Sequence, residues 1–236
     1  MKREVIYGSR PVVEALESGR RKVFEIFDAV GDREVADAAD SRGIKPKPVS
    51  RQRVDELSRG GVHQGVVARV EPYPYSGLEE ILASPEPLVL ILDGVTDPRN
   101  LGAVLRAAEG AGASGVVIPR DRAAGVTAAA VKASAGASEH VRIARETNLR
   151  RAIEKMKETG LWVYAAEASG TPYTQLDLAG PVGLVFGSEG RGVRRLVREA
   201  CDGTVAIPML GNVGSLNISV AAAVLLYEVR RQRGWP

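Results

Sequence analysis

The sequence predicts an α/β fold made of two units. Segments with the pattern of strands alternate with segments with the pattern of helices along the chain of 236 residues, which is typical of helices packed on mainly parallel sheets. The run PLVLILDGV (Pro87–Val95) is apolar at consecutive positions, as a strand buried on both faces requires. The stretch EPYPYSG (Glu71–Gly77) collects prolines and a glycine and predicts a linker. We therefore divide the chain into residues 1–70, a linker at 71–84 and residues 85–236.

The first unit predicts short strands and helices in alternation, the pattern of a small α/β sandwich. Pro11 falls in the first turn of its helix, where a missing amide hydrogen is tolerated, and Gly43 ends the second helix. The elements are a strand at Val5–Tyr7, a helix from Ser9, a strand at Val23–Val30, a helix at Arg33–Gly43, a strand near Pro48–Ser50, a helix at Arg51–Ser58 and a strand at Gly65–Val70.

The second unit continues the alternation after the buried strand and predicts a parallel sheet flanked by helices. Its elements are a helix from Pro98, a strand at Gly115–Pro119, a helix near Val126–Ser134, a strand at Val141–Ala144, a helix at Asn148–Glu158, strands at Leu161–Ala166 and Pro181–Gly187, a helix at Val193–Ala200, a strand at Thr204–Pro208 and a long last helix that includes Val220–Val229.

Composition argues against several classes of protein. One cysteine, Cys201, rules out an internal disulfide, and two distant histidines, His63 and His140, cannot form a zinc site. The N-terminal residues lack the pattern of a signal peptide, and no segment reaches the roughly 18 apolar residues of a membrane span. We therefore expect a cytoplasmic protein with no metal and no membrane partner.

Positive charge is concentrated in the first unit. Residues 1–70 hold 14 Lys and Arg against 11 Asp and Glu, whereas residues 71–236 hold 18 of each. A basic unit beside a larger neutral one suggests a polyanionic partner such as RNA. We expect residues 1–70 to contact RNA and not to support the fold of the second unit.

Three polar loops follow predicted strands of the second unit, at the edge where open α/β sheets bind ligands. The first is DGVTDPRNLGAVLRAAEGAGA (Asp93–Ala113), the second is VFGSEGRGV (Val185–Val193) and the third is GNVGSLNIS (Gly211–Ser219). The third precedes an apolar helix and offers more capping residues than one helix needs. These loops are the candidate site.

The second loop has the glycines of a phosphate-binding turn but also an acidic residue. Gly187, Gly190 and Gly192 surround Glu189, and a carboxylate there would repel a pyrophosphate. A cationic or zwitterionic ligand fits this loop better. The alternative is a tight turn followed by a solvated acid at the start of a helix.

The three loops together resemble the three motifs of the SpoU (TrmH) family of RNA ribose 2′-O-methyltransferases. The matching stretches are DPRNLGAVLRAAEGAG, LVFGSEGRGV and IPMLGNVGSLNISVAAAVLLYE, in the family's order. VIYGSRPVVEAL and VHQGVVA in the first unit resemble the RNA-binding domain, similar to a ribosomal protein, that many members carry. With both units matched, the chain is similar to the subgroup that modifies bacterial 23S ribosomal RNA.

This resemblance implies a fold, a cofactor and an assembly. Family members have a deep trefoil knot, form homodimers with the active site near the subunit interface, and use S-adenosyl-L-methionine held by the second and third loops. The cofactor contacts carry over to the following residues, largely through backbone groups: Gly187, Ile207, Met209, Ser215 and Leu216.

The resemblance also implies the catalytic residues Asn100, Arg106, Glu189 and Asn217, with Ser215 or Ser219 in support. Arg106 stands where the family's reactive arginine lies, beside the phosphate and ribose of the target nucleotide. Because free arginine stays protonated at ordinary pH, we favour positioning and charge stabilisation over a role as base. Asn100 would orient Arg106, although a surface ion pair of Arg106 with Glu109 is the plainer alternative.

Other functions remain open from sequence. The same chemistry could act on tRNA or at a ribosomal site that confers antibiotic resistance, or the chain could be a nonenzymatic RNA-binding protein. A dehydrogenase is disfavoured because the G-x-G-x-x-G fingerprint is absent from the first strand–helix junction of the second unit. His63 and His140 are candidates for acid–base chemistry with no visible partner.

Overall fold

The computed structural model describes residues 3–188 and 190–235. Within those residues, the first unit is a four-stranded sheet in the order β1-β4-β2-β3, in which β4 is antiparallel to β1 and β2, and β3 is parallel to β2. Side chains cap two of its helices, with Asp32 accepting from Val35 N and Ser50 from Arg53 N. The elements are β1 (Glu4–Tyr7), α1 (Ser9–Ser18), β2 (Val23–Asp28), α2 (Arg33–Asp40), β3 (Lys47–Pro48), α3 (Arg51–Ser58) and β4 (Val66–Val70).

The second unit is a parallel sheet in the order β10-β8-β9-β5-β6-β7 within the same described residues. Its elements are α4 (Leu78–Leu82), β5 (Leu88–Asp93), α5 (Pro98–Gly110), β6 (Gly115–Pro119), α6 (Ala128–Ala133), β7 (Ile143–Glu146), α7 (Leu149–Glu158), β8 (Trp162–Pro172), β9 (Val182–Gly187), α8 (Arg195–Arg198), β10 (Gly203–Ala206) and α9 (Ile218–Arg233), with 3₁₀ turns at Ala137–Glu139 and Tyr173–Gln175. The predicted α/β class with a parallel sheet is confirmed.

Strand β5 lies at the centre of this sheet because it is apolar on both faces. All six of its residues are buried, between helices that pack on either side of the sheet. Asp97 then caps α5, and Pro98 occupies the first turn. The carboxyl ends of β5 and β9 therefore lie side by side, with Asp93 paired in register with Gly187.

The segment predicted as a linker is packed against the second unit. It contains helix α4, which the sequence analysis missed, and Ser76 forms an isolated parallel bridge with Ala144. Tyr73 is buried, and its hydroxyl donates to the carbonyl of Ser138 at 2.8 Å. The segment is therefore held between the units by specific contacts of Tyr73 and Ser76.

The two units share one hydrophobic core, which corrects the expectation that residues 1–70 do not support the second unit. Apolar side chains of both units belong to a single buried cluster. Arg21 forms a bidentate ion pair with Glu139 across the contact, and these side chains are 1% and 0% exposed. No local sequence pattern indicates this contact between the units, because 118 residues separate Arg21 from Glu139.

Candidate active site at the carboxyl ends of the parallel strands

A cavity of about 370 Å³ opens beside the middle of β8 and the end of β9. Its walls are the middle of β8, the glycine loop after β9, the segment after β10 and the first half of α9. The five residues predicted to contact a cofactor all line it: Gly187, Ile207, Met209, Ser215 and Leu216. The second and third loops thus form one concave site.

Only glycine fits at position 187, because the loop after β9 folds back against the Cα of this residue. A Cβ at this position would lie 1.9 Å from the carbonyl carbon of Gly192 and 2.2 Å from Val193 N. Gly192 N donates to Ser188 O at 2.9 Å, which closes the turn. Gly190 and Gly192 have φ values of 82° and 66°, in the region that favours glycine. The loop therefore presents backbone, and little side chain, to the cavity.

A buried carboxylate that the sequence analysis missed fixes the far end of this loop. Asp93 ends β5, and its Oδ2 accepts from Arg194 N at 2.8 Å. Its Oδ1 accepts from Arg194 Nε at 2.7 Å and lies 2.6 Å from Nη2. The side chain of Asp93 is fully buried, so the clamp joins the central strand to the segment that follows the glycine loop.

A second, smaller cavity of about 270 Å³ adjoins the first and shares Ser188 and Ile218 with it. Asn100, in the first turn of α5, lines this second cavity. The first and third loops meet here because Asn217 Nδ2 donates to Asn100 Oδ1 at 3.1 Å. Two amide side chains therefore stand at the junction of the cavities.

Asn217 is positioned by its role as the cap of α9. Its Oδ1 accepts from Ser219 N at 2.9 Å and from Ser219 Oγ at 2.7 Å. These two bonds use the oxygen of the amide and aim its nitrogen at Asn100. Capping and site formation therefore depend on the same side chain.

Comparison with known proteins agrees with this geometry. Residues 87–227 match the SpoU rRNA Methylase family, and residues 5–76 match a family described as RNA 2'-O ribose methyltransferase substrate binding. The chain belongs to the SpoU rRNA methylase family. The first match covers the whole sheet of the second unit as far as α9.

Relatives of this SpoU methylase match over nearly their full length. The 23S rRNA (guanosine-2'-O-)-methyltransferase RlmB of Photorhabdus laumondii is 45% identical over 241 residues, covering 98% of both chains. RlmB of Escherichia coli K12 is 44% identical, covering 98% of this chain and 99% of its own. The crystal structure of the SpoU methyltransferase AviRb from Streptomyces viridochromogenes in complex with the cofactor AdoMet matches with a TM-score of 0.84 and 26% identity, covering 97% and 89% of the two chains.

Arg106 does not reach either cavity of this SpoU methylase within one chain. It lies in α5 six residues after Asn100, which places the two side chains roughly 120° apart around the helix. Arg106 is exposed, lines neither cavity, and forms no ion pair with Glu109 within the described part of the chain. Glu189, the remaining predicted catalytic residue, lies outside the described residues.

Among the described residues, one charged side chain lines the larger cavity, that of Glu167 in the middle of β8. Glu167 was not predicted as a site residue, because β8 extends beyond the predicted strand, to Pro172. Its carboxylate lies 3.7 Å from the Arg198 guanidinium. The cavity therefore has a polar backbone wall, apolar side chains and a carboxylate at one side.

Both histidines lie outside this site and have carboxylate partners. His63 Nε2 lies 2.7 Å from Asp55, and His140 Nε2 lies 2.5 Å from Glu14. Residues 3–188 and 190–235 include no group of three or more His, Cys, Asp or Glu that could hold a metal ion. None of the helices in these ranges is both long and apolar enough to cross a membrane.

Proposed function

We propose that this chain transfers a methyl group from S-adenosylmethionine to a ribose 2′-hydroxyl of 23S ribosomal RNA. The observation that carries the proposal is the junction of the two cavities, where a glycine-walled pocket opens beside the Asn217–Asn100 pair. One cavity suits a cofactor and the other suits the ribose. The RlmB relatives, named for guanosine 2'-O-methylation of 23S rRNA, support this RNA as the substrate.

The larger cavity has the chemistry that S-adenosylmethionine needs. The residues that would hold it are Gly187, Ile207, Met209, Ser215 and Leu216, which offer backbone groups and apolar contact. Among the described residues that line this cavity, none has a basic side chain, and Glu167 is negatively charged. A cationic sulfonium is favoured in such surroundings over a nucleotide phosphate. When bound, the cofactor supplies an electrophilic methyl group.

The chain's own task is to hold the ribose oxygen in line with the methyl group that the cofactor would supply. A neutral hydroxyl is a weak nucleophile, so its proton would pass to solvent water as the oxygen takes up the methyl group and the cofactor leaves as a neutral thioether. Asn217 and Asn100 would hold the ribose at the cavity junction, with Ser219 fixing Asn217. We assign Ser215 to the cofactor side and Glu189 to the hydrogen-bond network around the amides.

We assign Arg106 to the phosphate and ribose of the target nucleotide, where its planar fork stabilises charge. Because Arg106 lines neither cavity of its own chain, its position supports a homodimer in which it acts in the partner's site. Arg106 and Gly110 lie on one face of α5, and Tyr227 of α9 approaches Gly110. The neighbouring helix α9 also exposes apolar side chains, since Val220 and Tyr227 are 48% and 46% exposed. In a homodimer built on α5 and α9, Arg106 would complete the partner's site.

A mixing experiment tests this arrangement. Arg106→Ala and Gly187→Ala variants are mixed and allowed to exchange subunits, and methyl transfer is assayed at a cofactor concentration near the wild-type dissociation constant, where each variant alone is strongly impaired. If Arg106 acts in the partner's site, each heterodimer has one intact site, so about a quarter of wild-type activity returns. No recovery after demonstrated exchange would mean that Arg106 acts within its own chain.

We also infer the trefoil knot and the division at residues 70 and 85 from the family resemblance. The chain leaves edge strand β10 by the loop 207–217, and α9 then packs on α5, which follows central strand β5. This path from the edge of the sheet back to its centre supports a knot in which the last segment is threaded through an earlier part of the chain. A ribosomal substrate would also place the protein in the cytoplasm, with residues 1–70 as the RNA-binding unit.

Methyl transfer to RNA tests the main proposal. The protein is incubated with radiolabelled S-adenosylmethionine and unmodified 23S rRNA or tRNA transcripts, and the RNA is digested to nucleosides. We expect 2′-O-methylguanosine from 23S rRNA. A base-methylated product would refute ribose chemistry, a tRNA product would refute the substrate, and binding without transfer would favour a nonenzymatic RNA-binding protein.

A further inference from the structure

We infer that Arg120, Arg122 and Arg145 form a surface that binds the RNA phosphates flanking the target nucleotide. This inference rests on the proposed function, because it names where that RNA lies beyond the ribose. The three arginines lie at or just beyond the carboxyl ends of β6 and β7. We call these residues, with Tyr75 beside them, the arginine surface.

The arginine surface lies at the same edge of the sheet as the cavities. In the order β9-β5-β6-β7 all strands are parallel, so their carboxyl ends face one way. The loop after β6 contacts the first loop of the site directly, since Ala124 N donates to Val95 O at 2.8 Å. Val95 lines the smaller cavity. Two strand spacings, roughly 10 Å, separate β5 from β7, a distance suited to neighbouring phosphates.

Arg145 is held in place for such a contact. Its guanidinium lies over the Tyr75 ring at 5.0 Å, and Nη2 donates to the Arg120 carbonyl at 2.5 Å. Its Nε is buried and has no hydrogen-bond partner among the described residues. The half-buried guanidinium is therefore not fully hydrogen-bonded, and phosphate oxygens at this surface would supply partners for its accessible nitrogens.

The loop that carries the other two arginines is fixed at several points. Arg120 N donates to Glu146 O at 2.9 Å, and Val126 N donates to the Tyr75 hydroxyl at 2.9 Å. Arg122 has a φ of 57°, a conformation that residues other than glycine seldom adopt. The loop thus displays Arg122 at some conformational cost, which indicates a role beyond chain connection.

The charges of this surface are available to a ligand. Arg120 and Arg122 are exposed, and none of the three arginines forms an ion pair within the described part of the chain. The nearby carboxylates Asp121 and Glu146 form none there either, so the surface carries a small net positive charge. Unpaired arginine forks match phosphate oxygens in geometry. RNA is the phosphate-rich ligand that must already lie at this edge.

The experiment compares RNA binding, cofactor binding and methyl transfer in a double variant, Arg120→Ala with Arg122→Ala. Both residues are exposed, so the fold should persist. The probe is an unmodified 23S rRNA transcript at several salt concentrations. We expect the RNA dissociation constant to rise about tenfold per arginine and the logarithmic salt slope to fall by about 1 for each lost phosphate contact. Cofactor affinity and the single-turnover rate at saturating RNA should stay near wild type.

Arg142→Ala is the matched control, because Arg142 is an exposed arginine just before β7, at its opposite end. It should leave RNA affinity and the salt slope unchanged. The inference is overturned if the double variant binds RNA like the wild type, or if both variants weaken binding equally. If the wild type transfers no methyl group to RNA, the proposed function fails, whereas normal wild-type transfer with an unaffected double variant removes only this inference.

Discussion

Replacing Gly187 by alanine should disable the cofactor site without unfolding the protein. The added Cβ would lie 1.9 Å from the carbonyl carbon of Gly192 and 2.2 Å from its oxygen. Carbon atoms in contact stay roughly 3.5 Å apart. The backbone of the glycine loop must therefore move by on the order of 1.5 Å away from β9, because Gly187 itself is held in the strand.

The size of the effect follows from which part can move. Overpacking in a rigid core costs about 1–3 kcal/mol, but the loop at 190–192 is exposed, so we expect the free energy of unfolding to fall by about 1 kcal/mol. The same movement displaces Ser188, Gly190 and Gly192, which wall the cavity. A wall moved by that distance should raise the dissociation constant of S-adenosylmethionine by about 10- to 100-fold, or about 1.4–2.8 kcal/mol.

Isothermal titration with the cofactor and thermal unfolding measure the two quantities separately. Gly203→Ala is the matched control, because Gly203 lies in β10 of the same sheet and an added Cβ there would be 3.4 Å from the Tyr164 ring. That variant should bind the cofactor like the wild type. Unchanged cofactor affinity in Gly187→Ala would show that the loop position is irrelevant to binding, and the assignment of this cavity would be wrong.

Three further experiments test other parts of the molecule. Arg106→Ala and Arg106→Lys should both lower single-turnover methyl transfer by about 100-fold with cofactor affinity unchanged, since lysine lacks the planar fork; normal turnover in either variant would remove Arg106 from the site. Glu139→Ala should lower the free energy of unfolding in urea by about 3 kcal/mol, because buried Arg21 then keeps only the more distant carboxylate of Glu4, at 3.7 Å; a loss below about 1 kcal/mol would contradict that. Burial raises the pKa of the Cys201 thiol to about 12, so the thiol stays protonated at pH 8.5 and iodoacetamide should label it much more slowly in native protein than in urea. The raised pKa adds stability below the unfolded pKa of about 8.5, and that contribution should fall as pH rises from there towards 12.

Helices and strands whose ends are marked by nearby residues could be predicted from the sequence with the correct bounds. Helix α3 and strand β6 have the predicted bounds, since Ser50 is a visible cap and Gly115–Pro119 is a short apolar run. Strand β8 runs six residues past its predicted end because polar residues such as Thr171 pair with β10, across a register shift. That pairing depends on a distant partner strand, so no local pattern indicates it.

The candidate site shows the same division. The rule that ligands bind at the carboxyl ends of parallel strands was enough to select the three loops, and the structure brings them together around two adjoining cavities. The structural role of Asp93 could not be predicted, because Asp93 ends an apolar run and its partner, Arg194, is 101 residues away. Glu167 was missed with the rest of the extended β8. Residues that act through tertiary contacts leave no mark in the local sequence.

The shared core between the units has a consequence for how this enzyme would select one ribose. A flexible linker would let the first unit, with any RNA bound to it, lie at variable distances from the Asn217–Asn100 pair. Here the buried Arg21–Glu139 pair and the Tyr73 contact fix that distance when the chain folds. RNA bound to the first unit, as proposed above, would then approach the cavity from one direction only. Loss of the Arg21–Glu139 pair should therefore broaden the set of methylated riboses in a 23S rRNA transcript before it abolishes methyl transfer, because the cavity itself is built from other residues.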